Sequence, residues 1–197
     1  MHPNVLLICG SMKPAPGKEG KSAARELLKV VERGILESGE VTVKLLDLRD
    51  LNLPFFDGRH AQDYEHNGVN QLVAELQSAK HIIVSAPAYW RTIVGGMINA
   101  FNVFAGPLYD FPEHTDIFRG KKFYSLIVGA EIADAVHGAS QMRNLLSSLG
   151  GTVYPKDILV GNIRHMGNNE RAELAKKLYD LGKRVVMEIE QEQKVNA

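Results

Sequence analysis

The chain has 197 residues, 45% hydrophobic and 23% charged, enough apolar side chain for a sizeable core; with no proline-, glycine- or serine-rich divider, one domain over residues 1–197 is expected. Twenty-three basic residues balance twenty-three acidic ones, so no positive field argues for nucleic acid or an anionic membrane surface, and no run approaches the roughly 18 apolar residues of a membrane span. A single cysteine, Cys9, excludes an internal disulfide and a CxxC pair, and with no export signal ahead of the first apolar run the expected setting is the cytoplasm and the expected partner a small molecule.

Val5 to Cys9 reads as a buried strand. A long loop, Gly10 to Ser22, leads to a helix with Ser22 as N-cap, Ala24, Leu27, Leu28, Val31 and Ile35 on one face, and Gly39 as a stop. Its outer face is expected to carry Arg25, Glu26, Lys29 and Glu32. Val41 to Leu46 is a second strand, followed by the apolar loop Asn52 to Asp57 and a helix over Val69 to Ala79. A third strand, His81 to Ala86, precedes a helix from Gly95 to Phe104. A fourth, Phe123 to Val128, precedes one from Gly138 to Leu149. Thr152 to Val160 is a fifth strand containing Pro155, which cannot donate to a central ladder and so points to an edge. The last helix runs from about 169 to 190, with Ala175, Leu178, Gly182, Val185 and Ile189 inward.

Strict alternation of strand and helix implies a doubly wound, five-stranded parallel sheet with helices on both faces. In the order 2-1-3-4-5 the fifth strand is an edge and the ligand belongs over loops one and three. Loop one offers Ser11, Lys13, Lys21 and Ser22 at a helix start, a setting that suits phosphate. A Walker A reading of Gly20-Lys21-Ser22 fails, because Ala15 stands where that motif needs glycine. Loop three places Tyr89 and Trp90 side by side at a strand's carboxyl end, where they can stack on or edge a planar ring while Pro87 and Ala88 supply backbone groups; closing the core or a subunit contact would use the same aromatics. The seven histidines show no H-x-x-x-H pair, so no metal is expected. Cys9 is expected as a small buried hydrophobe.

The run Pro87-x-Tyr89-Trp90-x-Thr92-x-Val94-Gly95-x-Met97-Ile98-Asn99-x-x-Asn102 resembles, without a gap, the P-x-Y-N-x-S-x-P-G-x-L-K-N-x-x-D signature of the NADPH-dependent FMN reductases, which include flavin, quinone, azo-dye and chromate reductases. Gly10-Ser11 and Ser22-x-Ala24-x-x-Leu27 are similar to that family's phosphate motif, split here by a longer loop. The resemblance covers about residues 4 to 165. It implies a flavodoxin-like fold and FMN held by Ser11, Lys13, Lys21 and Ser22, by Pro87 to Trp90, and by a loop after strand four containing Ala130, Glu131, His137 and Gly138. It further implies NADPH or NADH as co-substrate and a small electron acceptor reduced by ping-pong hydride transfer, with no acid or base side chain required. A homodimer or dimer of dimers is implied as well, with Asn52 to Asp57 and the aromatics Tyr109, Phe111 and Phe118 as lid or contact. Lysines replace the family's loop arginine, and Trp90 replaces its asparagine. Two other readings stand beside the reductase: a flavodoxin-type electron carrier, against which the neutral charge argues, and a non-catalytic flavin-binding or sensor protein.

Overall fold

A computed structural model describes residues 5–13, 21–110 and 117–195. Residues 14–20 of loop one and Phe111 lie outside the described residues. The strands are β1 (Val5–Cys9), β2 (Val43–Asp47), β3 (His81–Tyr89), β4 (Thr92–Ile93), β5 (Lys122–Gly129), β6 (Thr152–Val153) and β7 (Ile158–Val160). The helices are α1 (Ala23–Leu36), α2 (Asn67–Ser78), α3 (Gly95–Ala105), α4 (Ile132–Ser148) and α5 (Asn168–Val195).

The parallel path runs β2-β1-β3-β5-β6, with β7 also on β5 and β4 antiparallel to β3. Among the described residues this corrects the expected count of five strands to seven. The segment Thr152 to Val160 is two pieces: β6 pairs with Lys122 and Phe123, β7 with Leu126 to Val128. Pro155 lies between them and has no N–H for the ladder, so pairing lapses and resumes. Arg143 of α4 is ion-paired to Asp157 in the same gap. The extra strand β4 is the return arm of a hairpin on β3.

Pleating divides the strand side chains between two cores. Leu6, Ile8, Ile82 and Val84 pack with residues of α2, α3 and α4 on one face; Val5, Leu7, Cys9 and Ile83 pack with α1 and α5 on the other. Each fully buried Leu or Ile contributes about 1.5–3 kcal/mol. The second face closes tightly because α1 and α5 cross at glycines. A Cβ on Gly182 would run into the Val31 carbonyl, and one on Gly34 into the Tyr179 backbone.

Two local readings are corrected. Arg25 is buried, not on the outer face of α1, because Asp47 at the end of β2 faces it. Helix α4 starts at Ile132, ahead of Gly138, because Glu131 and Asp134 form a capping box directly after β5. His137 and Gly138 therefore sit in a helix and not in a loop.

At the amino ends of β3 and β5 a polar cluster joins the sheet to the last turns of α5. His81, 2% exposed, contacts the Tyr124 hydroxyl through Nδ1 and Glu192 through Nε2, both at 3.3 Å. The Tyr124 hydroxyl donates to Glu188 at 2.8 Å. Lys122 bridges Glu188 and Glu192 at 3.1 and 2.9 Å. Burial pushes the Tyr124 phenol well above its ordinary range and the His81 imidazole below its own.

Candidate functional site

At the opposite, carboxyl end of the sheet lies a cleft of about 820 Å³, within the usual size of a small-molecule site. One wall is Ser11 and Lys13 after β1, with Lys21 and Ser22 leading into α1. Ser22 adopts an extended conformation, and its hydroxyl accepts from the Arg25 amide at 3.2 Å, the geometry of an N-cap. The amides of Ala23 and Ala24, ahead of that bond, have no helical acceptor and stand on residues that line the cleft. They carry the positive end of the α1 dipole.

Beneath this wall the Arg25 guanidinium binds Asp47 at 2.5 Å, the Ser11 carbonyl at 3.1 Å and the Lys13 carbonyl at 3.3 Å. Arg49 also donates to the Lys13 carbonyl, at 3.0 Å. The hydrogen bond to Asp47 raises the Arg25 pKa further, so its charge is fixed. Carbonyl oxygens that would repel an anion are thus engaged by guanidiniums behind the wall.

The floor is Pro87, Ala88 and Tyr89 from β3 with Val128, Gly129 and Ala130 from the end of β5. Tyr89 is 43% exposed and lines the cleft. Trp90 is 94% exposed and does not line it. Trp90 and Arg91 have φ of 53° and 62°, the two left-handed positions of a tight hairpin, where Asn-Gly is preferred. Each such non-glycine residue costs about 1–3 kcal/mol. The turn is held by the Arg91 amide on Asp134 at 3.0 Å and the Ile93 amide on Gln141 at 2.9 Å. Gly138 lies under the floor, where a Cβ would collide with that of Ala88. Glu131 is occupied as the α4 cap, and His137 is exposed on α4; neither lines the cleft.

The structure therefore brings Ser11, Lys13, Lys21, Ser22, Pro87, Ala88, Tyr89 and Ala130 together and leaves Trp90, Glu131, His137 and Gly138 outside the lining. It adds a third wall that motif reading overlooked: Asn162, Ile163, Arg164 and His165 after β7, and Arg171 on α5. The signal was available. In a doubly wound sheet every loop at the strands' carboxyl ends is a candidate, and Asn162-Ile163-Arg164-His165 is one.

Two neighbouring features have structural roles. Burial pushes the Cys9 thiol up to about 11, so it stays protonated within the α1/α5 core. The loop Asn52 to Asp57 is latched to α3: Asn99 donates to the Pro54 carbonyl at 2.8 Å and accepts from the Phe56 amide at 2.9 Å.

Over residues 3–165 the chain matches the family described as NADPH-dependent FMN reductase. No curated protein matches it by sequence. Among solved structures it is similar to an oxidoreductase from Corynebacterium diphtheriae, with 16% identity, a TM-score of 0.70 and coverage of 95% of this chain and 97% of that one. It is similar as well to a flavoenzyme NAD(P)H:(acceptor) oxidoreductase from Paracoccus denitrificans, with 17% identity, a TM-score of 0.70 and coverage of 96% and 98%. An FMN-dependent NADH-azoreductase from Bacillus anthracis, solved in complex with FMN, aligns at 10% identity and a TM-score of 0.69 over 92% and 99%. At these identities the likeness establishes the flavodoxin-like fold.

Proposed function

The chain belongs to the NADPH-dependent FMN reductase family, and on that premise we propose that it is an FMN-dependent oxidoreductase drawing electrons from NADPH or NADH and passing them to a small flat acceptor such as a quinone or a free flavin. The observation that carries this reading is one cleft joining a cationic, amide-bearing wall to a floor that includes Tyr89. The donor set fits the cofactor. Ser11, Lys13, Lys21, Ser22 and the first amides of α1 would hold the phosphate, while Pro87 to Tyr89 and Ala130 would support the ring system.

When bound, FMN supplies the hydride-accepting chemistry. The chain's own work is placement. Lys13 and Lys21 fix the anionic end, and the braced hairpin of β3 and β4 fixes Tyr89. Gly138 lets α4 pack close beneath Ala88 and keeps the floor rigid. Donor and acceptor are proposed to use the same opening in turn, which predicts parallel-line kinetics. The residues form one domain in this reading. Two copies are proposed to associate through exposed apolar side chains such as Phe55 and Tyr109 (90% and 87% exposed), which light scattering on the eluted protein would test.

Titrating the purified protein with FMN and then adding NADPH anaerobically tests the assignment. Flavin binding followed by bleaching is the expected result. Absence of binding overturns the flavin reading, and binding without bleaching by NADPH or NADH leaves the electron carrier or sensor.

A further inference from the structure

We propose that Arg164, on the turn between β7 and α5, is the guanidinium that grips a phosphate monoester in this cleft. The proposal rests on reading the cleft as a nucleotide site. Loop one, Gly10 to Ser22, contains no arginine, yet a planar fork of N–H donors is the side chain best matched to a phosphate group. The structure brings one to the same cleft from the far side.

The other guanidiniums nearby are already committed. Arg25 is spent on Asp47 and on the carbonyls of Ser11 and Lys13. Arg49 is spent on Asp50 and the Lys13 carbonyl. Arg171 lines the cleft but donates to the carbonyls of Ile163 at 2.7 Å and Met166 at 3.0 Å. Arg164 lines the cleft, is exposed, and makes no side-chain hydrogen bond or ion pair among the described residues. Its charge has no counter-ion among the described residues, and it lines the space where an anion would lie.

The turn that carries it is built to hold still. Asn162 takes the left-handed conformation, φ 52°, and its amide donates to the Ala130 carbonyl at 2.9 Å. The His165 amide closes the turn on Asn162 at 2.8 Å, and Arg171 clamps the carbonyls on either side of residues 164 and 165. Arg164 is thus displayed from a braced backbone, which reduces the ordering cost of gripping a ligand. The local charge agrees. Lys13, Lys21, Arg164 and Arg171 line the cleft against Glu26 as its acidic residue, in a chain whose formal net charge is zero.

Two phosphate monoesters belong to the proposed reaction, the 5′-phosphate of FMN and the 2′-phosphate of NADPH, and the test separates them. Wild type, Arg164→Gln and Arg164→Lys are compared for binding of FMN and of riboflavin by quenching of flavin fluorescence, and for kcat/KM with NADPH and with NADH. Because the Arg164 side chain makes no hydrogen bond or ion pair among the described residues, all three should melt alike. If it holds the flavin phosphate, Arg164→Gln weakens FMN about 10–100-fold, leaves riboflavin unchanged, and Arg164→Lys restores part of the loss. If it holds the donor's phosphate, FMN binding is unchanged and the preference for NADPH over NADH falls by a similar factor; this also supports the proposal. Equal weakening of FMN and riboflavin, or no change in any of the four measurements, overturns it. Wild-type protein that binds neither flavin nor nicotinamide nucleotide overturns the proposed function itself, and the assignment of Arg164 with it.

Discussion

The two ends of the sheet carry charge in opposite ways. At the amino end, His81, Tyr124, Lys122, Glu188 and Glu192 satisfy one another across β3, β5 and α5. At the carboxyl end Lys13, Lys21 and Arg164 line the cleft, and none has an ion-pair partner among the described residues. Charges that neutralise each other fasten the fold, whereas charges of one sign gathered around a hollow await a ligand. Beneath those free cations lies a paired exception, Arg25 with Asp47, at side-chain exposures of 6% and 8%.

That exception sets the largest expected effect. Arg25→Ala leaves Asp47 buried without its partner, which costs about 3–5 kcal/mol. It also releases the carbonyls of Ser11 and Lys13. Urea unfolding should show the stability loss, and FMN affinity should fall with it; an unchanged midpoint would mean that the pair adds nothing to the wall. Tyr124→Phe, at the other end, removes a hydroxyl that serves both His81 and Glu188. It should cost about 1–3 kcal/mol while FMN affinity stays the same. A drop in affinity would break the division of labour between the two ends. Lys21→Ala reverses the pattern. Its stability should stay within about 0.5 kcal/mol of wild type, while FMN binding weakens several-fold, more so at low salt, as measured by fluorescence titration at two ionic strengths.

The same contrast explains what could be read from the sequence. Strand and helix order followed from buried runs such as Val5 to Cys9 and from the stripe on α5, because burial imposes a period on the chain. The split of the fifth strand was foreshadowed by Pro155, which marked an edge; where pairing lapses depends on which β5 residues lie opposite. Loops one and three were legible because Ser22 is a local cap and Tyr89 stands at a strand's carboxyl end. Arg25 was misread because its helical position looks outward, and the carboxylate that draws it in lies on β2, 22 residues away. The third wall was missed for a related reason. Nothing local distinguishes Arg164 from a solvated arginine, and its meaning comes from the partners claimed by Arg25, Arg49 and Arg171. The family resemblance implies a loop at His137, with the helix starting at Gly138, whereas the capping box of Glu131 and Asp134 begins the helix at Ile132.

The smallest effect is one of pH, and it tests whether the amino-end cluster is purely structural. Burial lowers the His81 pKa from its ordinary value of 6.5, outweighing the pull of Glu192. The unfolded chain therefore takes up a proton as pH falls through about 6.5 while the folded chain resists. Stability must decline below that point until the folded imidazole also titrates. Glu192 behaves differently: burial alone would raise its carboxyl, but hydrogen bonds from Lys122 and His81 hold it below its ordinary 4.5. Its contribution is lost only in more acidic solution, as pH falls from about 4.5 through its folded pKa. Melting curves between about pH 8 and about pH 2, a range that spans both windows, should thus show two successive declines. His81→Gln keeps a side chain able to reach Tyr124 and Glu192 but cannot titrate. It should abolish the first decline and retain the second, with FMN affinity unaltered across the first window. If the first decline persists in the variant, the proton belongs to another group; if flavin affinity follows it in the wild type, the two ends of the sheet are coupled.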